Sequence, residues 1–252
     1  MKNANKKTTK KQKESKPIAM VFGLHPTIEL LRAKKRQLSQ VYTTKPEPKG
    51  FSEIKNKLPA HVIVHHVKKA ILDNMANTAD HQNIIGITKP FGFRKKFFNP
   101  EKEQFLLMLD SIQDARNLGA ILRSAYCTGV DGVILTQKNS APLTSAAFKS
   151  SAGLAEHLQI YQIPTAASAM IELKKAGYTV YATVFNGKPA NSIDYKGPIC
   201  VVIGNEARGV SSETKKHGTA ITLPQVAGDI SYNASVATGI TLFIIATKMQ
   251  KI

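Results

Sequence analysis

Apolar residues in this chain gather in short unbroken blocks. Between the blocks they recur every three or four positions. The blocks FLLMLDSI, DGVILT, LQIYQIP, YTVYATVF, ICVVIG and AITLP all lie beyond Gln104. The segments RNLGAILRSAYCTG, TSAAFKSSAG and ASAMIELKKAG lie among them with helical spacing. Unbroken apolar strands alternating with helices predict a parallel sheet covered on both faces. Gly129 suits a helix C-cap. The last run, from Asn233 to Met249, predicts a helix that is apolar on more than one face.

A smaller α/β unit is expected over 18–88. It opens on a short apolar strand, turns at Gly23, and enters a helix from about Pro26, a residue suited to a first helical turn. QVYTT, HVIVHHV and NIIGITK read as further strands, and KKAILDNMA as a helix. The stretch 89–103 is expected to link this unit to a second, larger one over 104–252. Its core, KPFGFRKKFFNP, is basic, aromatic and bounded by prolines. Such a segment either packs its rings on a domain surface or stacks them on RNA bases. The first reading is preferred.

Charge adds a partner. Lysine and arginine number 35 against 17 acids, a formal charge of +18. That excess points to a polyanion, nucleic acid above all. Residues 1–17 carry seven lysines and one acid with no apolar pattern, and are expected to form a disordered basic arm. They have no apolar stretch of the signal-peptide kind. No run is long enough for a membrane span. Cys127 and Cys200 fall in apolar runs and read as small core residues, so neither a disulfide framework nor a metal cluster is expected. A reducing cytoplasm fits.

Candidate chemistry collects where apolar strands stop. DSIQDARNLGAILR, GNEARGV and LPQVAGDISYN are polar loops of this kind. In an open parallel sheet, ligands bind at the carboxyl ends of the strands. A phosphate-binding loop and a nucleophile elbow are both missing, and GNEARG is not the dinucleotide fingerprint. Amides, hydroxyls, a carboxylate and guanidinium groups remain. Such a set positions substrates and stabilises charge; it does not form covalent intermediates.

These loops, in this order, resemble the motifs of the SpoU (TrmH-type) RNA 2′-O-ribose methyltransferases. Asn117 to Arg123 matches the first motif, Gly204-Asn205-Glu206 with Gly209 the second, and Pro224 with Ser231-Tyr-Asn233-Ala-Ser235 the third. VFGLHPTIELL and HQNIIGI resemble the N-terminal substrate-binding domain of the RlmB-type members. Tyr232 stands where leucine is usual and Gln225 where methionine is usual, and Gly228 falls one position late.

The resemblance implies a SPOUT-type α/β parallel sheet with a C-terminal trefoil knot. A small α/β substrate-binding domain, similar to a ribosomal-protein fold, would precede it. It implies S-adenosylmethionine as cofactor, held around Thr183, Gly204, Leu223 and Tyr232; the spacing of the histidines and cysteines separately gives no expectation of a metal. It implies a homodimer whose active site lies at or near the subunit interface, acting in the cytoplasm on a guanosine ribose of large-subunit ribosomal RNA. Transfer RNA, and a non-catalytic role in ribosome assembly, are the alternatives. The catalytic set would be Arg123, Asn117, Glu206, Ser231 and Asn233. Arg123 would stabilise the charge that develops on the ribose oxygen, or grip the adjacent phosphate. Glu206 would pair with Arg123, the preferred role, or cap the following turn. Asn117 is expected just ahead of its helix, and Gly119, on the same helical face as Arg123, would leave room for the RNA backbone. Arg208 would contact RNA or the partner subunit. Ser235 either joins the site or is a first-turn residue.

Overall fold

The computed structural model describes residues 19–226 and 230–252. The expected arm over 1–17 and the displaced Gly228 lie outside the described residues. Two sheets organise the chain. The first contains β1 (Ala19–Phe22), β2 (Leu38–Thr43), β3 (Ile63–His66) and β4 (Ile84–Thr88), in the order β1-β4-β2-β3. β4 runs antiparallel to both of its neighbours, and β2 and β3 are parallel. Helix α1 (Leu24–Ala33) starts at the left-handed Gly23, two residues ahead of the expected start, with Pro26 in its first turn. Its Ile28 and Leu30 join Val21, Val41 and Ile84 in one small core. A short helix α2 (Phe51–Lys55) closes that core with Phe51 and Ile54. Helix α3 (Lys69–Ala76) places Leu72 against Phe22 and Ile85.

The second sheet is parallel throughout. Its strands are β5 (Phe105–Asp110), β6 (Gly132–Thr136), β7 (Ile160–Ile163), β8 (Thr179–Pro189), β9 (Ile199–Gly204) and β10 (Thr219–Thr222). Their order is β10-β8-β9-β5-β6-β7. Every residue of β5, β6 and β9 is buried, as unbroken apolar blocks require. Alternate residues of β5 face opposite layers. Phe105, Leu107 and Leu109 meet helices α4 (Ala115–Cys127), α5 (Ser145–Ser150) and α8 (Ala234–Lys248). Leu106 and Met108 meet the layer of α6 (Ala166–Ala176). Helix α7 (Ser212–His217) packs beside α6. No helix among the described residues is long and apolar enough to cross a membrane.

The connecting stretch follows its packing reading. Phe98 is buried against β6, where a side chain at Gly132 would strike its ring. Phe91 packs on Phe148 of α5. Arg94 is engaged as well: it donates to Glu103 at 2.7 Å and lies over the Phe98 ring at 4.6 Å.

Three local expectations need correction. Asn117 lies inside α4, because Asp114 supplies the cap by accepting from the Arg116 backbone N–H at 2.7 Å. Gly119 opens no space for RNA. A Cβ there would come within 2.3 Å of the Ala147 carbonyl oxygen, so its bareness lets α5 lie on α4. Cys127 is exposed in the last turn of α4; Cys200, within β9, is buried as expected, and burial pushes its thiol pKa well up.

Candidate active site

Three loops converge at the carboxyl ends of β5, β9 and β10. The loop after β9 is held by its own backbone. Asn205 and Gly209 exchange N–H···O bonds of 3.1 and 2.8 Å. The Asn205 side chain accepts from the N–H groups of Ala207 and Arg208, and donates to the Ser111 carbonyl at 3.0 Å. Gly204 has to be glycine, since a Cβ would lie 2.1 Å from the Gly209 carbonyl carbon and the Val210 nitrogen. At the end of β5 the buried Asp110 carboxylate accepts from the Ser211 N–H at 2.8 Å. That bond ties the far side of the same loop to the strand.

The loop before α8 answers why so many polar residues precede an apolar helix. Asn233 is the cap: its Oδ1 accepts from the Ser235 N–H at 2.9 Å and from the Ser235 hydroxyl at 2.6 Å. Its Nδ2 donates to Asn117 Oδ1 at 3.3 Å, and Asn117 Nδ2 donates to Glu206 Oε1 at 2.8 Å. One chain of side chains therefore joins all three loops. Ser235 belongs to the first turn of α8, where it supports the cap. Gln225 sits in place of a methionine and donates to the Ile230 carbonyl at 2.6 Å, clasping the loop.

The Asn117 bond overturns the expected Glu206–Arg123 pair. Glu206 is held from α4's first turn by Asn117, and Arg123 is exposed with no partner among the described residues. Arg116, seven positions earlier, shares that exposed helical stripe. Sequence reading gave no role to Arg116, named Asn205 only within the second motif, and passed over Asp110. Helical spacing from Arg123 was the available signal for the first, and a carboxylate ending an apolar strand for the last.

A cavity of about 510 Å3 opens between β8, at Thr183 to Asn186, and the loops after β9 and β10. Thr183, Gly204, Leu223 and Tyr232 all line it, as do Glu206 and Ser231. Asn117, Arg123 and Asn233 lie outside its lining. The Thr183 hydroxyl is taken up by the Val202 carbonyl at 2.9 Å, so this residue presents its methyl and backbone. The walls are mostly apolar: Ile203, Val210, Leu223 and the Tyr232 ring. Arg208 and Lys215 stand at the margin. Among the described residues no cluster of histidine, cysteine and carboxylates has metal-holding geometry.

Comparison with known proteins gives this arrangement its class. Residues 104–243 match the SpoU rRNA Methylase family, and residues 20–93 match a model described as RNA 2′-O ribose methyltransferase substrate binding. A Staphylococcus aureus protein assigned to the TrmH family of tRNA/rRNA methyltransferases is 32% identical over 249 residues, 93% of each chain. A crystal structure of an AdoMet-bound rRNA methyltransferase from Sinorhizobium meliloti covers 92% of this chain and 87% of its own, with a TM-score of 0.75 and 24% identity. A structure of an RNA 2′-O ribose methyltransferase superposes with a TM-score of 0.80 at 18% identity, covering 92% and 89%. The chain belongs to the SpoU rRNA Methylase family and has the SPOUT methyltransferase fold. It is an RNA 2′-O-ribose methyltransferase of that family.

Proposed function

We propose that this enzyme moves the methyl group of S-adenosylmethionine onto a guanosine 2′-hydroxyl of large-subunit ribosomal RNA, in the cytoplasm and as a homodimer. The observation that carries the reading is the chain Glu206–Asn117–Asn233, which holds three loops together beside the cavity. The cavity fits the cofactor. Its volume lies in the range of about 300–1,000 Å3 usual for small-molecule sites. Its lining includes Gly204, which has to be glycine, and is more apolar than polar, with Ser231 and Glu206 among its polar groups. Thr183, Gly204, Leu223 and Tyr232 would hold the cofactor, which supplies a methyl group on a positively charged sulfur.

The protein's own groups then handle the RNA. A ribose hydroxyl is a weak nucleophile near neutral pH; its proton has to leave to solvent as its oxygen attacks the methyl group, and the oxygen carries negative charge until the new C–O bond draws it off. Arg123 is free to stabilise that charge because Asn117 has claimed Glu206. A guanidinium stays protonated in proteins, so Arg123 donates hydrogen bonds and does not take up the proton. Ser231 at the cavity wall, with Asn233 and Asn117 in their network, would orient the ribose. The separate unit ahead of the catalytic sheet favours ribosomal over transfer RNA, as it matches a substrate-binding model of its own. Dimerisation has support from α8, where Val236, Ile240 and Phe243 form an exposed apolar stripe and Phe243 is 60% exposed. The trefoil knot belongs to the same reading.

Three measurements test it together. Calorimetry should detect S-adenosylmethionine binding, and nucleotide mapping in a deletion strain should reveal one missing ribose methyl in large-subunit ribosomal RNA. A missing methyl in transfer RNA would overturn the substrate. Absence of cofactor binding would overturn the enzyme. Light scattering showing a stable monomer at micromolar concentration would overturn the dimer.

A further inference from the structure

The two units meet through a joint that is unusually complete for two parts of one chain. Arg36, just past α1, forks onto Glu156 in the 3-10 turn Leu154–His157, with Nε bonds of 2.9 and 3.1 Å and a further contact from Nη2. Their side chains are 4% and 1% exposed. The same guanidinium lies 4.3 Å over the Phe148 ring of α5. Around this pair, Lys35 donates to the His157 carbonyl at 2.6 Å, His157 bonds Glu29 at 2.8 Å, and the Ser145 hydroxyl donates to the Met20 carbonyl at 2.7 Å. Lys149 reaches Asp80. Two glycines close the gaps. A Cβ at Gly153 would lie 2.7 Å from Pro26 Cα, and one at Gly119 would strike α5. The layers α1, α5 with its 3-10 turn, and α4 are thus stacked without slack, and α4 carries Asn117 and Arg123.

A buried ion pair resists opening, because parting its members leaves an uncompensated charge in the interior. Burial already pushes the Glu156 carboxyl above its usual pKa, with Arg36 pulling it back. Most contacts between units of one chain are polar and permit relative motion. This one is anchored at its centre by the bidentate fork and by a cation–ring contact.

We infer that the Arg36–Glu156 pair is a specificity-determining joint: it holds the RNA-binding unit at a fixed span from Arg123, so that the enzyme methylates only the ribose lying at that span from the RNA feature the first unit grips. The inference rests on the RNA-methylation reading above. Arg36 and Glu156 are positioning residues, remote from the reacting atoms. Loosening them changes where the methyl goes, while the cavity is untouched.

The test uses full-length protein, S-adenosylmethionine and protein-free large-subunit ribosomal RNA, with ribose methyls mapped along the RNA. Arg36→Met keeps much of the stem and removes the charge. It should lower kcat/KM on the target ribose on the order of ten- to a hundredfold, as misplacement by a remote change does. Methylation should spread to neighbouring riboses, and S-adenosylmethionine affinity should stay within about twofold, since the cavity keeps its walls. Arg36→Lys, which keeps the charge but loses the planar fork, should restore the single-site pattern only in part. Glu156→Gln, similar in shape and still able to accept from Arg36, serves should Arg36→Met fail to fold, and should show the same spread at smaller amplitude. Wild-type site choice in both Arg36→Met and Glu156→Gln, or small-angle scattering showing the wild-type units parted in solution, would overturn the joint alone. A wild-type protein that methylates no RNA would overturn the activity reading and the joint's role with it.

Discussion

Helix α4 has two unlike sides. Toward α5 and the first unit, charged groups are paired and apolar groups are covered: Arg36 on Glu156, Lys149 on Asp80, Gly119 against Ala147. Toward solvent and the cavity rim, Arg123 and Arg208 are exposed, and so are Phe185, Ile230 and Tyr232. Folding has paired the charges of the first side and covered most of its apolar groups. The second side has guanidinium groups and rings that folding leaves open, which is the condition of a surface awaiting ligand, RNA or a second subunit. The division teaches where to expect losses of stability and where to expect losses of function.

The largest effect is expected on the open side. Arg123→Lys keeps the charge but loses the planar fork. Single-turnover methylation at saturating RNA should fall about a hundredfold, or roughly 2.7 kcal/mol in the barrier. Because Arg123 has no partner among the described residues, the protein's stability should move by less than about 0.5 kcal/mol. A near wild-type rate would break the contrast. Next comes the closed side. Gly119→Ala gains about 0.5–1 kcal/mol in helix propensity. It also sets a methyl group 2.3 Å from a backbone oxygen. Overpacking of that kind costs about 1–3 kcal/mol and should win, giving a lower denaturation midpoint. An unchanged midpoint would show slack between α4 and α5. The smallest effect is a labelling pattern at mildly alkaline pH. Cys127, in the last turn of α4, should react with an aromatic disulfide reagent in the native state. Cys200 should react only on unfolding, since burial raises its thiol pKa and closes access. Labelling of both at equal rates would place the core of the sheet within reach of solvent.

Most of the sheet was legible because β5, β6 and β9 are buried on both faces and read as unbroken apolar blocks. Helix α2 escaped because its five residues offer a single apolar pair, Phe51 and Ile54, and α7 because SETKKH has no apolar stripe at all. The cavity residues share strand ends and could be grouped by resemblance. Their pairings could not. Glu206 lies 89 positions from Asn117, and its choice of Asn117 over Arg123 is decided by where α4's first turn meets the β9 loop. Gly119 was misjudged for a related reason: spacing on a helix says which face a residue takes, not which neighbour fills it. Cys127 follows an apolar run yet shares the solvent stripe of Arg116 and Arg123.

The stacked layers at Gly119 and Gly153 also bear on how the chain melts. A unit of the size of 19–88 buries a small core and is marginal by itself. Here part of its surface is the outer layer of a stack that continues into the catalytic sheet. Heat absorbed by either unit is then shared by both, and the two sheets should come apart in one cooperative transition. A substitution in α1 would consequently lower the melting temperature of β5 and β9, far from any residue it touches.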